Sequence, residues 1–322
     1  MSVAAWATPG VLQATVQPDR SWESYFGVAI LPSGRVAVVG DKGVVMVTDD
    51  QGKTWARQQL VNGIKYFDLY SVGFTADGKN GWAVGDHGTI FHSDDSGSSW
   101  RLQKIASTDA LLKVAVIDAE KVCAVGEHGA VACTSDGGAN WNVQQFKDID
   151  FFDLAFTDAD NGWAVGEFST VLNTNDGGKT WKFQTGGDRT AAQDPYFAIA
   201  FAGQYGVVVG QSGAALTSAD GGKSWKPADL SIEHRSFYAL TAVPTQADEF
   251  YAGGENGVAG LITKGQVSEL PSGTSSAITS AAFSPRFAMA VGLSGTLLRS
   301  DDGGQHWQSL NNEQPALQTR AQ

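Results

Sequence analysis

The sequence repeats one pattern of strand-sized segments and turns seven times within its 322 residues. Each copy contains a small-residue segment ending in an anchor glycine, and six copies continue for 15 residues to a tryptophan in an Asp-x-Gly-x-x-Trp motif. The anchor glycines are Gly40, Gly85, Gly126, Gly166, Gly210, Gly254 and Gly292. They lie 38 to 45 residues apart, which leaves room for four strands in each copy. A period of this length is typical of β-propellers. The sequence therefore predicts an all-β fold, a seven-bladed β-propeller of four-stranded antiparallel blades.

The repeats occupy nearly the whole chain, so we expect one domain where the length alone would allow two. Residues 1–20 are interpreted as a leader and N-terminal segment, residues 21–310 as a single seven-bladed propeller, and residues 311–322 as a polar C-terminal tail. Ala5-Trp6-Ala7 matches the small-x-small pattern of a signal-peptide cleavage site, which favours a periplasmic or otherwise exported protein. The segment VLQATV (11–16) is expected to add a strand to the last blade or to cover it.

The charge of the chain limits its partners. A net charge of −12 argues against nucleic acid and against anionic lipid surfaces. No stretch approaches the roughly 20 apolar residues of a membrane-spanning helix, so direct membrane insertion is not expected. No Cys/His cluster has the spacing of a zinc site, so we expect neither a metal nor a cofactor. The free protein is expected to be a monomer.

We label the strands of each blade A to D from the inside outward. Strand A is a continuous apolar run, as expected where neighbouring blades cover both faces of the sheet. The C–D connection is an Asp-box, S/T-x-D-x-G-x-S/T-W, which recurs in every blade except the sixth. An aspartate that every turn needs is explained by local capping of backbone N–H groups, and glycine supplies the positive φ. We therefore assign these aspartates to the fold and not to catalysis.

Two cysteines occupy a single hairpin, KVCAVGEHGAVACT. A three-residue B–C turn places Cys123 opposite Cys133 on adjacent strands, whereas a two-residue turn would place them on opposite faces. This pairing is compatible with a disulfide, which would indicate an oxidising compartment. Two reduced cysteines filling a core are the alternative.

We expect function to lie in the loops at the end of the ring that carries the B–C turns and the D–A connections between blades. One position of the B–C turns is acidic in five blades and carries Gln211 and Leu293 in the others. This candidate acidic ring consists of Asp41, Asp86, Glu127, Glu167 and Glu255. The alternative is that polar residues are ordinary in tight turns.

Two D–A connections carry a second group of candidate partner-binding residues. The longest connection contributes Asp188, Arg189, Asp194 and Tyr196, and the next contributes Glu233, His234 and Arg235. A patch of aromatic and arginine side chains is typical of a protein-binding hot spot. Ordinary solvated loops are the alternative. Asp68 and Asp153 recur in the sequence Phe-Asp-Leu near the start of strand A and are expected to point into the channel.

The segment FFDLAFTDADNGWAVGEFSTVLNTNDGGKTW (151–181) resembles the photosystem II assembly and stability factor propellers, a family with Asp-box (bacterial neuraminidase) repeats. The resemblance covers about residues 25–307 and implies an exported or thylakoid-lumenal propeller, without enzymatic activity, that binds a partly assembled membrane protein. Relatives of this family also occur in non-photosynthetic bacteria, often alongside exporters of the resistance-nodulation-division superfamily. Photosynthetic members use an arginine-rich face, whereas arginine is sparse here (Arg189, Arg235 and Arg286), which favours the non-photosynthetic branch.

The resemblance and the residues together predict a non-catalytic exported scaffold whose partner is a membrane-protein complex or a transporter subunit. Two other functions stay open. A glycoside hydrolase of the sialidase type would need three arginines and a Tyr–Glu pair facing the channel, and other hydrolases would need facing carboxylates. A carbohydrate-binding propeller is the third reading.

Overall fold

A computed structural model describes residues 13–16 (backbone only), 23–63, 67–187, 193–230 and 235–310. The described strands form seven antiparallel sheets. Six sheets have four strands, and the first has a fifth strand at its outer edge. The prediction of a seven-bladed β-propeller of four-stranded antiparallel blades is confirmed. Apart from residues 13–16, nearly all of the predicted leader and all of the predicted tail lie outside the described residues.

The strands follow one another from the inside of each blade to the outside. One strand, β1 (Gln13–Val16), precedes the first blade. Blade 1 comprises β2 (Tyr25–Ile30), β3 (Val36–Gly40), β4 (Val44–Thr48) and β5 (Trp55–Gln59). Blade 2 comprises β6 (Leu69–Phe74), β7 (Gly81–Gly85), β8 (Thr89–Ser93) and β9 (Arg101–Gln103). Blade 3 comprises β10 (Leu111–Val116), β11 (Val122–Gly126), β12 (Ala130–Thr134) and β13 (Asn142–Gln145).

The other four blades continue the same order. Blade 4 comprises β14 (Phe151–Phe156), β15 (Gly162–Gly166), β16 (Thr170–Thr174) and β17 (Lys182–Thr185). Blade 5 comprises β18 (Tyr196–Ala202), β19 (Tyr205–Gly210), β20 (Ala215–Ser218) and β21 (Lys226–Pro227). Blade 6 comprises β22 (Phe237–Ala242), β23 (Glu249–Gly254), β24 (Ala259–Thr263) and β25 (Gln266–Leu270). Blade 7 comprises β26 (Ile278–Phe283), β27 (Ala288–Gly292), β28 (Leu297–Ser300) and β29 (Gln308–Ser309).

The N-terminal strand corrects one expectation. β1 pairs antiparallel with β5, with Gln13 opposite Arg57 and Val16 opposite Trp55, so it extends the first blade and not the last. The ring closes through side chains that link blade 7 to blade 1. Thr279 Oγ1 donates to Tyr25 O at 2.7 Å, and Arg299 Nη2 donates to Gln51 Oε1 at 2.7 Å. No strand is shared between the first and last blades among the described residues.

The core lies between the blades. Strand B is buried in every blade, except for the first residue of β19 and of β23, because sheets on both sides cover it. One hydrophobic cluster joins Val125 and Val131 of blade 3 to Phe151 and Leu172 of blade 4. A fully buried side chain of this size contributes roughly 2–3 kcal/mol by leaving water. Each interface between blades is therefore a separate piece of core.

The cysteine pair lies in this core. Cys123 lies opposite Cys133 in the pairing of β11 with β12, and the two side chains form a disulfide, as the turn length predicted. The disulfide packs against the Asp-box turn of blade 4. A Cβ added at Gly178 would lie 2.6 Å from both sulfur atoms, so the cross-link fills the space that this glycine leaves.

The Asp-boxes are closed by local hydrogen bonds. In blade 5, Ser218 Oγ donates to Asp220 Oδ1 at 2.7 Å, and Ser224 donates to the same carboxylate through its N–H (2.9 Å) and its hydroxyl (2.6 Å). The hydrogen bond from the Ser224 hydroxyl contributes most to lowering the pKa of Asp220 to about 2, and the bond from the Ser224 N–H contributes next. Equivalent bonds close the five other Asp-boxes, with Asn140 Nδ2 and His306 Nδ1 in place of the second hydroxyl in blades 3 and 7. Although burial opposes them, these bonds lower the pKa of each central aspartate.

These low pKa values predict a loss of stability in acid. A carboxylate whose pKa is lower in the folded state than its unfolded value of 3.8 stabilises the folded state at pH values above 3.8. This contribution disappears as the pH falls towards about 2. We expect the free energy of unfolding, measured by denaturant titration, to fall between about pH 4 and about pH 2. Asp220→Asn should make this fall shallower, whereas Glu269→Gln, on the blade without an Asp-box, should leave it unchanged. Equal slopes for the two variants would contradict the assignment.

Candidate partner-binding face

The ring has two different faces. Because antiparallel strands alternate in direction, the B–C turns and the D–A connections lie at one end of the blades. We call this end the B–C face. The A–B turns and the Asp-boxes lie at the other end, which we call the Asp-box face. The sequence predicted partner binding on the B–C face. The side chains on this face and their hydrogen bonds determine what the face can bind.

The predicted acidic ring fastens the B–C turns to the inner strands. The Asp41 backbone N–H donates to Ser24 O at 3.0 Å, while Asp41 Oδ2 accepts the Ser24 N–H at 2.7 Å. Three other members accept the N–H of the residue before strand A in the same way: Asp86 from Asp68 (2.9 Å), Glu167 from Asp150 (3.0 Å) and Glu255 from Ser236 (3.2 Å). These carboxylates thus have a structural role. Partner binding by Asp41, Asp86, Glu127, Glu167 and Glu255 stays a prediction.

The anchor glycines allow this fastening. A Cβ added at Gly126 would lie 1.9 Å from Ala110 O, the carbonyl that precedes strand A of the same blade. The corresponding distance is 1.9 to 2.2 Å at the other six anchor glycines. Only a residue without a side chain lets the two backbones approach this closely. The same carbonyl accepts the N–H of the residue that follows the glycine, as in the bond from Glu127 N to Ala110 O at 2.9 Å.

Strand A bulges immediately after this contact. In blade 3, Leu111 lies opposite Gly126 and Lys113 opposite Val125, so Leu112 is an extra residue without a partner on strand B. All seven blades shift register at the same place. A bulge redirects the side chain of its extra residue away from the regular alternation of the strand. Each blade therefore presents one redirected side chain at the B–C end of its inner strand.

The redirected residues are mostly aromatic, and we call them the crown. They are Phe26, Tyr70, Leu112, Phe152, Phe197, Tyr238 and Thr279. Rings of adjacent blades touch, with centroids 5.4 Å apart for Phe26 and Tyr70, 5.3 Å for Phe152 and Phe197, and 5.4 Å for Phe197 and Tyr238. The crown is absent from the predicted site residues. The signal was present, since five of the seven A segments carry an aromatic residue at the same position.

The two Phe-Asp-Leu aspartates are not equivalent. The strand registers align Asp68 with Asp150, and Asp153 with Ser71. Asp68 Oδ1 accepts the Lys42 N–H at 2.7 Å, and Asp150 Oδ1 accepts the His128 N–H at 2.7 Å. Each therefore caps the B–C turn of the preceding blade. The expectation that both aspartates point into the channel is wrong for Asp68, because it is used in this cap.

Asp153 lies in the channel wall and is buried. It accepts the Ile199 N–H of blade 5 at 3.0 Å and lies 3.2 Å from Lys113 Nζ of blade 3. Burial raises the pKa of Asp153, and the charge of Lys113 opposes that rise. Asp153 thus ties three blades together. Lys113 and Asp153 are the only charged residues on the seven inner strands, so these strands hold no pair of facing carboxylates.

The candidate residues of the D–A connections are placed only in part. Asp188, Arg189, Glu233 and His234 lie outside the described residues. Asp194 is exposed, and its carbonyl accepts the Ser169 hydroxyl at 2.9 Å. Tyr196 is 8% exposed, because it packs in a cluster with Trp163 and Val165, and this burial raises its pKa. Arg235 is exposed on the B–C face. Partner binding by these residues stays a prediction.

The described arginines lie outside the inner strands. Arg35, Arg57, Arg101 and Arg299 form ion pairs with Asp49, Glu23, Asp94 and Asp301, and no arginine lies on an inner strand. A sialidase-like arginine triad is thus missing from the seven inner strands. Within the described residues, no group of three metal-ligating side chains comes together, and no helix has the length and hydrophobicity of a membrane span.

Comparisons with known proteins agree with this architecture. The family model described as "Photosynthesis system II assembly factor YCF48" matches residues 24–149 and 143–236. A solved structure described as "YCF48 bound to D1 peptide" is 19% identical, with a TM-score of 0.69, and the alignment covers 91% of this chain and 99% of that chain. No curated protein sequence is detectably similar to this one.

Two further structures show how widely the fold is shared. YCF48 from Cyanidioschyzon merolae is 19% identical, with a TM-score of 0.59, over 75% of this chain and 84% of that chain. A GH74 xyloglucanase from Xanthomonas campestris is 11% identical, with a TM-score of 0.69, over 95% of this chain and 55% of that chain. At such identities the likeness shows the propeller fold and not a common activity.

The close approach at the anchor glycines is directly testable. Gly126→Ala places a methyl group against Ala110 O, so we expect the free energy of unfolding to fall by about 3 kcal/mol. The matched control is Gly73→Ala on inner strand β6, where the added Cβ would lie 3.2 Å from a Val116 methyl group that can move. Denaturant titration should show a loss below about 1 kcal/mol for the control. Equal losses would contradict a special role for the anchor glycine.

Proposed function

Since the chain belongs to the photosynthesis system II assembly factor YCF48 family, we propose that it is a non-catalytic scaffold that binds a subunit of a membrane-protein complex. The observation that carries the proposal is the match of the family model over residues 24–149 and 143–236. A structure similar to this chain along 91% of its length is described as YCF48 bound to D1 peptide. Peptide capture of this kind is the activity that we transfer to this chain.

The partner is proposed to differ from that of the photosynthetic members. Four of the six described arginines are held in ion pairs, which argues against an arginine-rich face like the one that the resemblance implies. A chain with a net charge of −12 suits a partner with basic segments. We place the function at a membrane-protein complex of the exporter type, in keeping with the non-photosynthetic branch.

We further propose that the protein works in an exported compartment. The Cys123–Cys133 disulfide supports this location, because disulfides persist in oxidising compartments such as the periplasm and are rare in the cytosol. The Ala5-Trp6-Ala7 pattern points the same way. The scaffold would then meet the parts of its partner that project from the membrane on that side.

Hydrolysis is the less favoured reading. Glycoside hydrolases of the common type need two carboxyl groups flanking the scissile bond. The inner strands offer Asp153 alone, buried and held by Lys113 and by the Ile199 N–H. That arrangement serves to join blades, and it leaves the channel wall without the second acid.

Site-specific photo-crosslinking tests the proposal. A benzophenone amino acid is placed at Arg235, exposed on the B–C face, and in a second variant at Arg286, exposed on the Asp-box face. Each purified protein is irradiated with detergent-solubilised membranes of the source cell, and products are identified by mass spectrometry. We expect a defined integral membrane protein to crosslink at position 235 and not at position 286.

Two results would overturn the scaffold proposal. One is the absence of any crosslinked membrane protein at both positions. The other is turnover by the purified protein of any member of an aryl-glycoside panel, which would favour the hydrolase instead. Crosslinking at position 286 alone would keep the scaffold but move its binding site to the Asp-box face.

A further inference from the structure

The crown is an apolar surface at the mouth of the channel. Six of its seven members are aromatic or leucine, and most are half-buried, with Tyr238 37% exposed. Leu293, 38% exposed, extends this apolar character at blade 7, where the other B–C turns carry polar residues. Contiguous exposed apolar groups on a soluble protein mark sites of interaction.

The bulges give the crown a fixed geometry. Each crown residue follows a backbone contact that only glycine permits, so its position is set by the rigid inner strand and not by a loop. Adjacent rings support one another, since Phe197 contacts both Phe152 and Tyr238. A rigid aromatic cluster needs little ordering when it binds, which is typical of the anchor points of protein interfaces.

The acidic ring surrounds this apolar centre. Four of its carboxylates are hydrogen-bonded to backbone N–H groups, which are neutral donors, so these bonds do not neutralise the negative charge. Tyr70 joins the two features, since its hydroxyl donates to Asp86 Oδ1 at 2.8 Å. An apolar centre with an acidic margin is complementary to an apolar side chain flanked by basic ones.

We propose that the crown receives an aromatic or aliphatic side chain from a partner segment whose neighbouring residues are lysine or arginine. This inference rests on the proposed function, because it specifies the chemistry of the segment that the scaffold binds. The apolar side chain packs against the crown rings, and the basic residues lie over the acidic ring. Charge steers the encounter and packing supplies most of the affinity. An anionic lipid surface is repelled by the same carboxylates.

Selection from a random twelve-residue peptide library displayed on phage tests this chemistry on the intact protein. We expect enriched peptides to combine an aromatic or leucine residue with lysine or arginine. The strongest peptide, synthesised with a fluorescent label, should bind more weakly as salt is raised. Leu112→Ser, in the crown, should weaken its binding at least about tenfold. The matched control is Leu102→Ser on the outer strand β9, where the leucine is 46% exposed, and it should bind as the unmodified protein does.

A second pair of variants tests the charge without touching the crown. Glu127 is chosen because, unlike the carboxylates of Asp41, Asp86, Glu167 and Glu255, its carboxylate accepts no hydrogen bond from the residue before strand A in the described structure. Glu127→Lys should weaken the binding of the labelled peptide several-fold and make this binding less sensitive to salt. Glu120→Lys, at the opposite end of the same blade, should do neither. Thermal melting of all four variants establishes that each one is folded.

Three outcomes would overturn the inference. They are enrichment of acidic or uncharged peptides, equal binding by the Leu112→Ser and Leu102→Ser proteins, and the absence of any enriched peptide. If a membrane protein still crosslinks at position 235, any of these results removes the crown as the binding element and leaves the scaffold function intact. If crosslinking fails while basic peptides select the crown, the face binds peptides but its proposed membrane partner is wrong.

Discussion

The contact between an anchor glycine and the carbonyl before strand A is the constraint on which the rest of the ring depends. At Gly126 the carbonyl of Ala110 occupies the space of a side chain, and Glu127 donates its N–H to the same oxygen. The contact fixes where strand A enters the blade, and a bulge follows it at once. Seven repetitions of this contact align the inner strands around the channel and place one redirected side chain from each blade at its mouth.

The two faces of the propeller use their polar groups differently. On the Asp-box face, each box closes on itself through hydrogen bonds such as those from Ser218 and Ser224 to Asp220. These groups are satisfied within their own turn and leave little for a partner to use. On the B–C face, the carboxylates satisfy backbone donors yet keep their charge, and the crown rings pack against each other while staying partly open to solvent. The B–C face therefore combines hydrogen bonds that hold the turns in place with charged and apolar groups that stay accessible.

The repeat predicted the fold because its period and its turn chemistry both recur. The Cys123–Cys133 pairing followed from the length of one hairpin turn, which sets the register between strands B and C. The register of strand A could not be predicted in the same way, since a bulge inside a continuous apolar run leaves no break in the pattern. The shared Phe-Asp-Leu motif for this reason suggests equivalent positions for Asp68 and Asp153, although they differ by three positions in the aligned blades. The partner of β1 was unpredictable because every outer strand of the ring offers a similar open edge.

The central claim is that the B–C face, where bulges in strand A position the crown, is the recognition surface. Hydrogen–deuterium exchange tests this claim by comparing the free protein with the protein bound to its crosslinked membrane partner. We expect slower exchange on binding in the segments that enter strand A and in the B–C turns, such as residues 109–113 and 127–129. The Asp-box turn of the same blade, residues 134–141, should exchange at an unchanged rate. Protection of the Asp-box turns, with no change at the B–C turns, would contradict the claim.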